Sequence, residues 1–176
     1  METRIAEGKL PVTLYGIDYT RGGGPKGLPE QTVHNYGMTN SPGRTYRYYK
    51  GKPLFSFGDG LSLTTFSHKC TCAAMQCTCS VKNTGKQAGD AVLMAFDSLS
   101  PAIRSSVSDQ HPVPIKRLVD FGGRGASTTV KFSFSAAALA LTTAGGRKKS
   151  YGGVHNIVFS RGNGNDQTVP VDITVA

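Results

Sequence analysis

PGRTYRYYKGKPLFSFGDGLSLTTF, residues 42–66, divides this chain in two. Upstream of it the sequence is loose and rich in glycine; downstream it reads as a run of short strands. The stretch itself sets six aromatic side chains (Tyr46, Tyr48, Tyr49, Phe55, Phe57 and Phe66) among basic residues and glycines, with no helical period. That much apolar surface is not left in water. The segment is therefore expected to lie extended against a larger body, as an arm joining that body to a small β-domain.

Downstream, alternation predicts strands at Leu61–Phe66, Cys77–Lys82, Asp90–Phe96, Ile115–Phe121, Ser127–Phe134, His155–Ser160 and Thr168–Val175. Ser127–Phe134 is the clearest: Val130, Phe132 and Phe134 share one face, Thr129, Lys131 and Ser133 the other, as in a half-buried antiparallel strand. Asp90–Phe96 carries a continuous apolar run and reads as buried. Asn-Gly and Gly-Asn pairs in RGNGND, residues 161–166, supply turn chemistry between the last two strands. Ala136–Leu141 suits a short helical turn capped by Ser135. Pro170 cannot donate to a ladder and marks its strand as an edge. Short strands with regular turn signals and no βαβ alternation predict an all-β fold, an antiparallel sandwich of the immunoglobulin or fibronectin type III kind, with an extended N-terminal arm.

Upstream, Leu10–Leu14 is one short apolar run, suited to a single strand at the edge of another domain. Residues 15–43, with RGGGPKG at 21–27, have the glycine and proline density of a linker draped over a neighbour. The chain has 176 residues, a net charge of +9 and 38% hydrophobic content, enough for a modest core. No apolar run reaches the roughly 20 residues of a membrane span, and METRIAEGKLPVT has no signal core. If the parent protein is secreted, its signal is expected upstream. The positive charge suits nucleic acid, acidic polysaccharide or an anionic surface, or simply a basic domain surface. Its two clusters are Arg44–Lys52 and Arg147–Lys149.

Few residues invite a catalytic reading. Glycosidic chemistry needs two carboxylates across a sugar, and no pair among the 11 acids sits in a glycine-rich or aromatic setting. His34, His68, His111 and His155 are far apart, with no Ser-His-Asp or Cys-His spacing. The glycine-rich pieces lack the strand–glycine–helix context of a phosphate loop. Cys70, Cys72, Cys77 and Cys79 form a symmetric C-x-C-x4-C-x-C pattern. If its arms pair as a hairpin, all four sulfurs share one face as two cross-strand pairs. Disulfides, a zinc site of four thiolates and free buried thiols are all open on this pattern. RTYRYYKGK, residues 44–52, interleaves four cations with three tyrosines. This suits single-stranded nucleic acid or sugar stacking, and equally an interdomain contact with its cations reaching water.

Several ordered blocks carry a resemblance. They are GKLPVT at 8–13, the 42–66 stretch, VKNTGKQAGD at 81–90, PIKRLVDF at 114–121 and GVHNIVFSRG at 153–162. In that order the chain resembles the C-terminal region of glycoside hydrolase family 3 enzymes, in the β-xylosidase-like branch marked by PGRTYRYY. The resemblance implies that residues 1–14 are a remnant of an α/β sandwich domain, 15–53 a connecting arm and 54–176 a fibronectin type III-like domain. It implies no catalytic residue and no cofactor here, zinc at the cysteines aside. Tyr46, Arg47 and Tyr48 are its implied substrate-binding candidates, because the arm runs near the active site in some family members. The implied partners are a catalytic barrel and an α/β sandwich, with an oligosaccharide bound through them, and the implied location is extracellular. The implied role is a non-catalytic scaffold of an exo-glycosidase acting on plant cell-wall oligosaccharides. A stand-alone carbohydrate-binding or adhesion module is the alternative, with a basic nucleic-acid-binding domain less favoured. Two departures stand out. Asp59 replaces a bulky, usually tyrosine, position in SFGDGLSLT, and the cysteine-rich insert at 70–79 has no family counterpart.

Overall fold

The computed structural model describes residues 8–17, 19, 37–107, 114–122, 127–143 and 145–175. Among these, β1 (Phe66–Ala73), β2 (Gln76–Asn83) and β5 (Ser127–Ser133) form an antiparallel sheet in the order β1-β2-β5. β3 (Leu93–Leu99), β4 (Arg117–Gly122), β8 (Gly153–Ser160) and β9 (Asp166–Ile173) form a second, in the order β4-β3-β8-β9. A small ribbon pairs β6 (Leu141–Thr142) with β7 (Lys148–Lys149). The helical pieces are α1 (Thr45–Tyr48) and α2 (Pro101–Ser106).

The two sheets close on one core. Phe66, Cys79, Val81, Val130 and Phe132 face it from the first sheet; Leu93, Ala95, Ile157, Phe159 and Val171 face it from the second. Each strand supplies alternate residues, as the pleat demands. The all-β sandwich expected from the alternation is therefore the fold observed. Pro170 sits in β9, an edge strand, opposite Asn156. The edge strand of the facing sheet on that same side, β1, is also managed. The Gln167 side chain accepts from Cys70 N and donates to Cys70 O, each at 2.8 Å, tying β9 across to β1. That bond pair occupies backbone groups that an open edge would otherwise offer to another chain.

Several boundaries differ from the sequence reading. Leu61–Thr65 is not strand. The ladder starts at Phe66, opposite Asn83 where β2 ends, so the residues before it have no strand to pair with. Thr65 O instead accepts from Thr84 N at 2.8 Å. The expected strand at Ile115 begins at Arg117, because Ile115 N donates to Arg47 O, 2.6 Å away in the arm. Leu10–Leu14 pairs within its own chain: Leu14 bridges Phe55, and Leu10 N donates to Asp59 O at 2.8 Å. α2 was not anticipated, although Ser100-Pro101 is a start signal. Ser100 Oγ accepts from Ile103 N, and the proline sits where its missing N–H costs nothing. At residues 136–139 the expected turn is present, with Ala138 N donating to Ser135 Oγ at 3.1 Å.

β3 is buried on both faces, which explains its unbroken apolar run. Leu93 and Ala95 face the core, while Met94 and Phe96 face outward under the arm. The Tyr46 and Phe57 rings lie 5.7 and 6.3 Å from that of Phe96, and Lys116 Nζ lies 4.6 Å from its centroid. Gly58 passes so close that a Cβ there would stand 2.3 Å from the end of Met94. The arm thus covers the outer face of the four-stranded sheet over β3, while the outward Thr168, Pro170 and Asp172 of β9 stay exposed.

Candidate functional site

The arm is the site the sequence singled out, and the structure divides its residues. Tyr46 is half-buried, its ring 4.5 Å from Phe57. Arg47 lays its guanidinium 5.6 Å from the Tyr48 ring; its Nε is buried without a hydrogen-bond partner. Tyr49 joins a separate cluster, meeting Tyr15 edge-on at 4.9 Å, while Tyr15 and Tyr19 stack at 4.0 Å. Ser41-Pro42 is a cis peptide, and Gly43 (φ +90°) follows it to turn the chain into α1. The Tyr19 hydroxyl donates to Gly43 O at 3.1 Å. Most of the rings therefore meet one another and the sandwich of their own chain, rather than standing free to stack on a ligand.

Two hollows flank the arm. One, of about 160 Å³, lies among Thr13, Tyr46, Tyr49, Phe57 and Ile115. The other, of about 540 Å³, is a groove lined by Leu10, Leu14, Phe55, Leu61, Asp59 and Asn163, among others. Among the described residues Asp59 is the only carboxylate lining either, and both its oxygens are engaged. Oδ2 accepts from Ser56 N and Oδ1 from Asn163 N, each at 2.7 Å. Asn163 Nδ2 donates back to Gly60 O at 2.6 Å. The residue that departs from the family pattern thus clasps the 161–166 turn to the arm. Among the described residues, neither hollow holds the two opposed carboxylates that glycoside hydrolysis needs.

The groove is apolar and open to water. Among the described residues, eight of the ten exposed large hydrophobic side chains lie between Val12 and Leu63, with Leu61 92% and Leu63 71% exposed. Of these, Leu14, Phe55 and Leu61 line the groove.

The cysteines are two stacked disulfides, Cys70–Cys79 and Cys72–Cys77, joining directly opposed residues of β1 and β2. Cys70, Cys77 and Cys79 are buried in the core. In this oxidised form the sulfurs are not the thiolates that zinc takes. His68, two residues before Cys70 on the same strand face, is engaged by another residue: its Nδ1 accepts from Arg161 Nε at 3.2 Å. Burial and the neighbouring Arg161 guanidinium hold its pKa below the ordinary histidine value. His34, His111 and Asp109 lie outside the described residues.

One polar constellation escaped the sequence reading. Asp97 on β3, Arg117 on β4 and His155 on β8 meet inside the sandwich. His155 Nδ1 lies 2.9 Å from Asp97 Oδ1, and Arg117 donates to Asp97 Oδ2 at 2.8 Å. His155 Nε2 lies 3.0 Å from Tyr151 O, and Arg117 also donates to Ala140 O at 2.6 Å. Both partners of the imidazole are acceptors, so the ring is fully satisfied only as the doubly protonated cation. Burial pulls its pKa down, but the bonds to Asp97 and Tyr151 outweigh that and hold it above the ordinary value. With both nitrogens committed, this histidine has no free nitrogen for base catalysis. The group links the main core to a smaller cluster of Leu99, Ile103 and Leu141. A phase signal existed: Asp97 is in step with Leu93 and Ala95, and His155 with Ile157 and Phe159, so both point inward.

Comparison with known proteins follows the same line. No protein-family model matches the chain. β-D-Xylosidase 1 of Arabidopsis thaliana is 48% identical over 61 residues, 35% of this chain and 7% of that protein. A probable exo-1,4-β-xylosidase of Aspergillus fumigatus is 26% identical over 196 aligned residues, 95% of this chain and 24% of that protein. Among solved structures, a β-glucosidase from Streptomyces venezuelae superposes with a TM-score of 0.64 at 24% identity, covering 92% of this chain and 21% of that one. The chain therefore spans less than a quarter of the length of each protein named here.

Proposed function

We propose, on the premise that this chain corresponds to part of a glycoside hydrolase of family 3, β-xylosidase-like branch, that it is a non-catalytic scaffold whose arm docks on the catalytic part of such an enzyme. The observation that carries this reading is the open apolar groove beside Leu14, Phe55 and Leu61, which among the described residues holds one carboxylate, already bonded. Burying an exposed leucine is worth about 2 kcal/mol, so the cluster suits an interface core. The three-plus-four strand order supports a fibronectin type III-like assignment. Two disulfides support an extracellular location, where such bonds persist. The parent activity that goes with this reading is β-xylosidase or related exo-glycosidase action.

The test has two arms. The chain alone is assayed with aryl β-xylosides, and no turnover is expected. It is then mixed with the catalytic portion of a related full-length enzyme, and association is measured with and without Leu61→Asp and Leu63→Asp. Those substitutions are expected to weaken association at least tenfold while leaving the melting temperature of the chain unchanged, because both side chains already stand in water. Turnover by the chain alone, or undiminished association of the variant, refutes the proposal.

A further inference from the structure

The arm covers part of one outer face of the sandwich, over β3, and among the described residues does not reach the other. That second face is the outside of β1-β2-β5, and its composition is unusual. The ladder registers set its residues in rows: Ser67, Lys82 and Ser127; then Lys69, Ser80 and Thr129; then Thr71, Thr78 and Lys131; then Ala73, Gln76 and Ser133. Leaving Ser127 aside, every one of these side chains is exposed. Each of the first three rows holds one lysine and two hydroxyl residues, and the lysine changes strand from row to row. No carboxylate and no aromatic residue occurs in any row.

A sheet face turned to water is ordinarily polar, but mixed signs are what keep it soluble without attracting partners. Here the charge is of one sign and spread over the surface. With strands about 4.8 Å apart and two residues rising about 6.8 Å, Lys82 and Lys69 stand about 8 Å apart and Lys69 and Lys131 about 12 Å. Flexible stems let the three ammonium groups follow one extended anionic chain, with serine and threonine hydroxyls between them to bond its oxygens.

We propose that this face binds an acidic polysaccharide, a chain bearing uronate carboxylates. Charge complementarity selects an anion. The absence of aromatic rings removes the stacking platform that single-stranded nucleic acid uses, and the absence of large apolar side chains removes an anchor for a membrane surface. The face lies on the side of the sandwich opposite the arm, so it stays open when the arm is docked. The binding itself does not depend on the docking proposal; its consequence, holding a parent enzyme near a charged matrix, rests on that reading.

The test is affinity electrophoresis of the whole chain through gels containing polygalacturonate, fully methyl-esterified polygalacturonate, or a single-stranded oligonucleotide, at fixed ionic strength. Retardation by polygalacturonate is expected, with loss on esterification. K69Q/K82Q/K131Q is expected to weaken it roughly tenfold, three exposed ion pairs each contributing a modest factor. R147Q/K148Q/K149Q, which removes the same net charge from the β6–β7 ribbon, is expected to change it less than twofold. Thr78→Lys adds a cation to the same face and is expected to strengthen binding, a gain that does not depend on how the triple variant folds. Equal retardation by the esterified polymer, equal losses in the two triple variants, tighter binding to the oligonucleotide, or no gain from Thr78→Lys overturns the proposal.

Discussion

Replacing Asp97 with alanine tests the interior of this fold most directly. Asp97 is 1% exposed and His155 fully buried. The substitution removes the acceptor for both His155 Nδ1 and the Arg117 guanidinium. Breaking a buried charge pair from one side costs about 3–5 kcal/mol, because the partner's charge stays behind unpaired. Against a total stability of roughly 5–15 kcal/mol this is a large fraction. Urea unfolding at pH 6 is expected to show a lower midpoint with an unchanged slope. Asp97→Asn keeps shape and one acceptor and is expected to cost less. The pH dependence carries a sign. The folded pKa of His155 is raised, so the native state binds the proton more tightly than the unfolded chain. Its contribution is full below the unfolded value of about 6.5 and is lost as pH rises through the folded value. Nuclear magnetic resonance of the His155 ring is expected to give a midpoint above about 6.5, falling below it in Asp97→Asn, where burial is left with less opposition. A loss under about 1 kcal/mol for Asp97→Ala, or a His155 midpoint at or below the ordinary value, refutes the reasoning.

Phe96→Ala removes the ring on which Tyr46 and Phe57 converge. It is expected to cost about 3–5 kcal/mol and to speed proteolysis within residues 42–60, read by mass spectrometry of limited digests. Gly162→Ala places a Cβ 2.0 Å from Gly58 O at φ +79°, against the backbone of the Gly58–Asp59 peptide. A drop in melting temperature is expected, larger than that from Gly164→Ala, where φ is +73° but the space is open. Reducing the disulfides frees loops of sequence separation 9 and 5. The larger loop alone is worth about 2.5 kcal/mol in chain entropy, so urea midpoints with and without a reductant are expected to differ accordingly, and alkylation counting is expected to find four thiols only after reduction.

The sandwich was legible because each strand carries its own evidence. Val130, Phe132 and Phe134 alternate in the sequence and are all buried in the fold. Pro170 declared an edge, and the C-x-C-x4-C-x-C spacing contained the pairing that the β1–β2 register realises. Strand limits were less legible, since a ladder ends where its partner ends. Leu61 and Leu63 have strand chemistry, yet among the described residues no strand pairs with them.

What the amino-acid order determined on its own is local: the period-two faces, the turns, the edge, and an aromatic arm too apolar for water. What only the tertiary structure decided is which distant residues share a place. Asp97 and His155 are 58 residues apart, Asp59 and Asn163 104, and the lysines of the bare face come from three strands. Side-chain phase says which way a residue points. Only the pairing of strands says what it meets there, and a buried charge, a clasp or a charged face exists in that meeting alone.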